Sequence, residues 1–199
     1  TGLGIGTSSP LSLLQLAKAS MPSSITRANN YLQIGGSEER LNGYQVIGFG
    51  YNDSGRTYMP AYIGFQQTVL SSGNTGDLIF GTRPNGSDVV PTERARLTKD
   101  GNLLVGKTST SFGTAGAALY ASGDNDFVND SNVMSLNRLS SDGSIVNYYK
   151  DSSLVGSIGT LNADPWMARA NGCGVRFITA AWLPTNNTGN DSDNTVDLG

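Results

Sequence analysis

One phrase recurs in this chain at a spacing of one hundred residues, and it limits the folds open to the whole. Gly2-Leu3-Gly4-Ile5-Gly6-Thr7-Ser8-Ser9-Pro10 returns as Asn102-Leu103-Leu104-Val105-Gly106-Lys107-Thr108-Ser109-Thr110. Each copy sets apolar residues beside glycine and then breaks into a small polar turn. A strand-like run and an Asp-Gly turn, Arg94 to Gly101, lead into the second copy. A unit that recurs along a chain points to modules in series, and serial β modules build shafts and displays more often than catalytic clefts. Two modules are expected, 1–107 and 108–199. The first copy lies almost at the start, without an initiator Met or signal peptide ahead of it, as in a fragment or a processed product.

Composition supports short strands and many turns. Apolar residues are 37% and charged residues 15% of the 199, and Gly alone accounts for 26. Aromatic and β-branched residues are scattered throughout, unlike a disordered chain. So little apolar material in one chain leaves room for subunit packing to supply the rest. A net charge of −3 without a Lys/Arg stripe argues against a nucleic-acid binder. No apolar run approaches the roughly 20 residues a bilayer requires, so membrane insertion is not expected. Cys173 is alone and histidine is absent. A disulfide framework, Cys-based metal clusters, Ser-His-Asp and Cys-His catalysis and His-ligated zinc are thereby excluded within this chain. No cofactor is expected.

Strands are predicted at Tyr31–Ile34, Tyr44–Tyr51, Tyr62–Phe65 and Asp77–Gly81, with a loop at Ser71–Asn74. Leu11–Ala19 suits a helix with Pro10 at its first position, and would also suit a strand. Ile47, Phe49 and Tyr51 fall on one face of their strand and Gly48 and Gly50 on the other, a pattern that invites close approach of another backbone. Asp142-Gly143 predicts a hairpin turn between Met134–Leu139 and Ile145–Tyr149, and Asp100-Gly101 a second such turn. Asn186–Asn194 predicts a surface loop, with Val196 and Leu198 resuming an apolar pattern.

Several phrases together resemble the recurring shaft modules of bacteriophage tail fibres. They include Gly-Ile-Gly-Thr-Ser-Ser-Pro at 4–10, Glu93 to Asn102, and Ser24-Ile25-Thr26-Arg27 with Tyr31 to Glu38. Ile47-Gly48-Phe49-Gly50-Tyr51, Ala61 to Gln66 and Gly76 to Arg83 are similar to a module of marine and cyanobacterial phage proteins. Arg138 to Val146, Val155 to Gly159 and Asp193 to Gly199 form a later set. Leu104-Val105-Gly106-Lys107 departs from the usual Gly-Ile-Gly-Thr. Such fibres often end in an intramolecular chaperone, and none is expected within residues 1–199.

The resemblance implies an all-β fold of serial modules, intertwined as a homotrimeric virion fibre. Its partners would be two further copies, other virion tail proteins and a host cell-surface glycan or protein. It would space or display the host-recognition surface as an external appendage, without being an enzyme. A virion-borne polysaccharide depolymerase is the alternative, and a capsid or neck decoration fibre a third; a monomeric β-sandwich binding domain would be the simplest physical outcome.

Site candidates follow from these classes. Glycan cleavage needs two carboxylates across the bond; Glu38, Glu39, Asp77, Glu93 and Asp142 are available, with Asp142 and Asp100 better suited to turns. Exposed rings could stack on sugars: Trp166, Tyr148 and Tyr149 are the candidates, with Tyr58 behind them, while Trp182 beside Leu183 and Pro184 is expected to be buried. Asp124, Asn125, Asp126, Asn129 and Asp130 approximate a calcium loop but lack its sixth-position glycine and distal Glu, so a solvated turn is expected. The same holds for Asp191 and Asp193. Arg94 and Arg96 are expected on one strand face, solvated or ion-paired between subunits.

Overall fold

The computed structural model describes residues 3–5, 14–16, 32–35, 39–50, 55–70 and 75–192. The described residues form strands and turns without a helix, so the fold is all-β, and no helix among them could cross a membrane. The chain divides into two compact units, Thr1–Val133 and Met134–Gly199.

In the first unit, β1 (Leu3–Ile5) pairs in parallel with β2 (Leu14–Leu16). Leu14–Leu16 is therefore strand where the pattern also allowed a helix; the rest of 11–19 lies outside the described residues. The main sheet is an antiparallel seven-stranded meander in sequence order: β3 (Tyr44–Phe49), β4 (Ala61–Val69), β5 (Thr75–Thr82), β6 (Thr92–Leu97), β7 (Leu103–Val105), β8 (Gly116–Leu119) and β9 (Asn125–Val128). Both copies of the repeated phrase thus place a three-residue strand at the same point, Leu3–Ile5 and Leu103–Val105. Asp100-Gly101 turns between β6 and β7, with Gly101 at φ 85° and its N–H on the Thr98 carbonyl at 2.9 Å. The unit boundary falls at 133 rather than 107 because β7 pairs with β8, and β8 with β9.

The second unit is a five-stranded antiparallel meander: β10 (Gly143–Lys150), β11 (Ser153–Leu161), β12 (Asp164–Arg169), β13 (Cys173–Ile178) and β14 (Ala181–Asn186). The predicted hairpin is displaced. Met134–Leu139 forms no strand, and Asp142-Gly143 only leads into β10. The turn comes after that strand, at Asp151-Ser152, where φ is 48° and 64°. Asp142 instead accepts the Asn162 N–H on Oδ2 at 3.0 Å. Two other expectations also change. Leu32–Ile34 is not strand, and Tyr31, the Ser71–Asn74 loop, Val196 and Leu198 lie outside the described residues. What meets Gly48 and Gly50 most closely is the side chains of Met59 and Pro60. Backbone does close on Gly64, where a Cβ would lie 2.4 Å from the Gln45 carbonyl oxygen.

Within each unit, the extensive strand contacts among the described residues are those between hydrogen-bonded neighbours. The turn joining β11 and β12 carries a local conflict. Asn162 and Ala163 have φ of 52° and 68°, the left-handed region that a two-residue hairpin turn demands and that suits Asn-Gly, not alanine. Ala163→Gly should therefore raise stability by about 1 kcal/mol, read as a higher urea midpoint with an unchanged slope.

Candidate functional site

Register assigns every side chain of the first sheet to a face, because residues opposite one another on paired strands point the same way. One face collects Val46, Gly64, Ile79, Arg96, Leu104, Ala118 and Asp126 in a single row across all seven strands. Ile79, Leu104 and Ala118 are fully buried there. So are charged and polar groups: Arg96 is 7% exposed and Asp77 5%.

Arg96 is the hub of that face. Its Nε and Nη2 donate to the two Glu93 carboxylate oxygens, both at 2.7 Å. Nη1 donates to Asp77 Oδ2 at 2.6 Å, and Nη2 also to Gln66 Oε1 at 2.9 Å. Gln66 Nε2 passes the chain on to the Tyr44 hydroxyl at 2.9 Å, and Asp77 Oδ1 accepts the Lys99 N–H at 2.9 Å. One guanidinium so links β3, β4, β5 and β6. Residues three apart on a strand ordinarily point to opposite faces. Glu93 and Arg96 share one because the register shifts between Phe80 and Gly81, opposite Ala95 and Glu93. Arg94 is the extra residue of that bulge.

The two arginines therefore part company. Arg94 is exposed and donates to Thr82 Oγ1 at 3.0 Å, while Arg96 is buried and ion-paired within its own chain. These hydrogen bonds and charges raise the Arg96 pKa, with the Glu93 bond the largest cause. Tyr62 lies against the same group; burial first, then the Glu93 and Tyr44 charges, push its phenol up. Two of the carboxylates considered for glycan cleavage, Asp77 and Glu93, are thus brought together, and both are committed to Arg96. Glu39 and Asp142 are exposed elsewhere, and Glu38 lies outside the described residues.

The opposite face of the first sheet is apolar. Phe65, Leu78, Leu97, Leu103 and Leu119 form one row, and Ile47, Ile63, Phe80, Ala95, Val105, Ala117 and Phe127 the next. Ile47, Phe49, Leu78, Phe80, Leu97, Val105, Leu119 and Phe127 are each 38–54% exposed. The sheet carries its salt bridges inside and its leucines outside.

In the second unit the aromatic expectations reverse. Trp166, proposed as an exposed ring, is 1% exposed; Trp182, proposed as buried, is 74% exposed. Trp166 sits opposite Gly159, where a Cβ would come within 2.6 Å of the ring, and under Gly189, where it would come within 2.5 Å. The Asn-rich loop is what brings Gly189 there. Asn186 Oδ1 accepts from the N–H groups of Thr188 and Asn190, and Asp191 Oδ1 accepts from Arg176 Nη2 at 2.7 Å. That loop is a cover for Trp166, and Gly189 is the one sequence signal of it. Asp191 is a salt-bridge partner; Asp193 lies outside the described residues.

Tyr148 and Tyr149 are exposed as expected, but adjacent residues of one strand project to opposite faces, so they do not form one platform. Tyr148 shares its face with Val146, Ile158, Met167, Val175 and Pro184, an apolar row across all five strands. Trp182 and Phe177 lie on that face too, in edge-to-face contact with centroids 5.6 Å apart. Asp126 belongs to β9 and accepts the Tyr120 hydroxyl at 2.7 Å, so the predicted solvated turn is strand there. No cluster of three metal-ligating side chains occurs among the described residues.

Tyr58 is fixed by its backbone. Its N–H and that of Thr57 donate to the Asp88 carboxylate at 3.0 and 2.6 Å, and its carbonyl accepts from Arg83. The two backbone N–H bonds, and then the charges of Arg83 and Arg56, hold Asp88 below the usual aspartate range.

Comparison with protein families, with curated proteins and with solved structures gives no match to this chain.

Two tests follow from these contacts. Arg96→Met strands two carboxylates on a buried face and should cost about 3–5 kcal/mol, whereas Arg94→Met should stay within about 0.5 kcal/mol; urea unfolding separates them. A carboxylate with a depressed folded pKa stabilises fully above its unfolded value, and that contribution is lost as pH falls through the folded one. The Thr57 and Tyr58 amides should hence be protected from exchange at neutral pH and lose protection in acid, an NMR observable that Asp88→Asn should make independent of pH.

Proposed function

We propose that this chain is a structural fibre protein of a virion, a bacteriophage tail fibre, assembled from three copies of itself. The observation that carries this reading is the uncovered apolar face of a single-layer sheet. Sheets need a second layer over an apolar face. Eight large side chains at the exposures given above leave roughly 600 Å² of apolar surface, the upper limit of what soluble monomers show in one patch. Tyr148, Met167, Phe177 and Trp182 leave a second exposed apolar surface on one face of the second sheet. Identical chains supply that layer to one another without any further partner.

The phage-fibre identity rests on the ordered series of shaft-like phrases, and the strand at both copies of the repeat agrees with it. In such a fibre the work is geometric. Sheets packed about an axis provide stiffness, and three copies of a weak site for a host glycan or protein provide avidity. Asp77 and Glu93, the two candidate carboxylates that share Arg96, tie strands together, which fits a structural role better than hydrolysis.

Light scattering on the native chain tests the reading. A molar mass near three times 20.8 kDa is expected. A folded monomer that binds no second copy at high concentration would overturn it, and release of reducing sugar from host capsule or lipopolysaccharide would replace it with the depolymerase.

A further inference from the structure

An asparagine followed by glycine can react with its own backbone, because a glycine nitrogen, with no Cβ beside it, swings freely toward the asparagine side chain. The chain has three such pairs: Asn42-Gly43, Asn85-Gly86 and Asn171-Gly172. All three asparagines are exposed, so access to water does not tell them apart. Hydrogen bonding does.

The Gly43 N–H donates to the Arg40 carbonyl at 2.8 Å, and the Gly172 N–H to that of Arg169 at 3.2 Å. Each bond closes a turn in which the asparagine holds a left-handed backbone, φ 61° at Asn42 and 52° at Asn171. Either glycine would have to give up that bond before its nitrogen could react. The Gly86 N–H donates to no acceptor among the described residues. Asn85 Oδ1, moreover, accepts the Ser87 N–H at 2.9 Å. This Asx turn closes a ring of atoms that contains both the Asn85 amide carbon and the Gly86 nitrogen. A donor on Oδ1 also stabilises the negative charge that oxygen gains when the carbon is attacked. A Cβ on Gly86 would meet nothing within 4 Å, so the loop has room to close on itself and to admit water.

We propose that Asn85-Gly86 is a self-modifying site, at which the native chain converts asparagine to a mixture of aspartate and isoaspartate. The Gly86 nitrogen gives its proton to hydroxide and attacks Asn85 Cγ. A C–N bond forms, the Cγ–Nδ2 bond breaks, and the departing nitrogen takes a proton from water and leaves as ammonia. Water then opens the five-membered imide. Cleavage of the new bond leaves aspartate, and cleavage of the original peptide bond leaves isoaspartate, with the backbone now running through the side chain.

The site sits on a clip. The Gly86 carbonyl accepts from Arg56 Nη1 at 2.8 Å, and Asp88 holds the Thr57 and Tyr58 N–H groups. An isoaspartyl link lengthens the backbone just ahead of these acceptors, and conversion therefore loosens residues 56–58 from residues 86–88.

Ageing the native chain in mildly alkaline buffer, followed by peptide mapping with fragmentation, tests this. Asn85 should convert several-fold faster than Asn42 and Asn171, and an isoaspartyl methyltransferase should label part of the product. In denaturant, where no turn restrains any of them, the three should convert at similar rates. Native Asn42 or Asn171 keeping pace with Asn85 overturns the proposal, as does an Asn85 that stays intact while the denatured chain converts. Aspartate without isoaspartate would mean direct hydrolysis and overturn the imide route. The Thr57 and Tyr58 amides should lose protection from exchange in step with conversion, and should keep it in Asn85→Gln, whose longer side chain disfavours the ring. Full protection in the converted chain overturns the loosening of the clip.

Discussion

Arg96 allows the seven-stranded sheet to turn its polar residues inward. A guanidinium presents five donors and loses little of its hydration penalty unless each is met. Here Glu93, Asp77 and Gln66 meet four of the bonds it makes, from three strands. The geometry depends on the bulge at Arg94. Without the extra residue, Glu93 would point to the apolar face, and Arg96 would be left with a single carboxylate. A buried ion pair is weak as a source of stability but strict about register. On this sheet it sets which residues face each way, and the leucine rows on the other side inherit their placement from it.

The second sheet reaches the same division by packing. Trp166 needs two positions without a side chain, Gly159 across the ladder and Gly189 above, and Arg176 clamps the covering loop through Asp191. With that face closed by the loop, the row from Val146 to Pro184 is left as the open one. In both sheets, then, one face is satisfied within the chain by specific contacts, and the apolar remainder is on the other.

Much of the fold was legible from the residues. Alternation within Tyr44–Tyr51 located β3, and short apolar runs between turn signals located the centres of β4 and β5. The strand-like run from Arg94 fell in β6, and Asp100-Gly101 marked a real turn. Other features were hidden for identifiable reasons. Asp142-Gly143 has the composition of a hairpin turn, but Asp151-Ser152 closes the hairpin, with non-glycine residues in a left-handed conformation that pattern alone disfavours. The tryptophans reversed because their neighbours misled. Leu183 and Pro184 suggested a core around Trp182, while the two glycines that bury Trp166 lie seven residues before it and twenty-three after it in sequence. Alternation also says that a strand has two faces without saying which is covered; the Arg96 network, built across four strands, decided that, and no window of sequence contains it.

Both meanders hydrogen-bond each strand to its sequence neighbour across connections of eleven residues or fewer, so their ladders close at modest entropic expense. Local closure makes a sheet quick to form, but a single layer cannot exclude water from both faces, and small hydrophobic cores are marginal. Among the described residues, Ile79, Leu104 and Trp166 are the large apolar side chains that are fully buried. For a fibre the consequence is useful. Strands that register themselves locally give each chain a defined apolar face early, and in the fibre we propose the union of three such faces would supply the missing layer. Stability then belongs to the assembly and rises with chain concentration, as it does wherever a native state binds copies of itself.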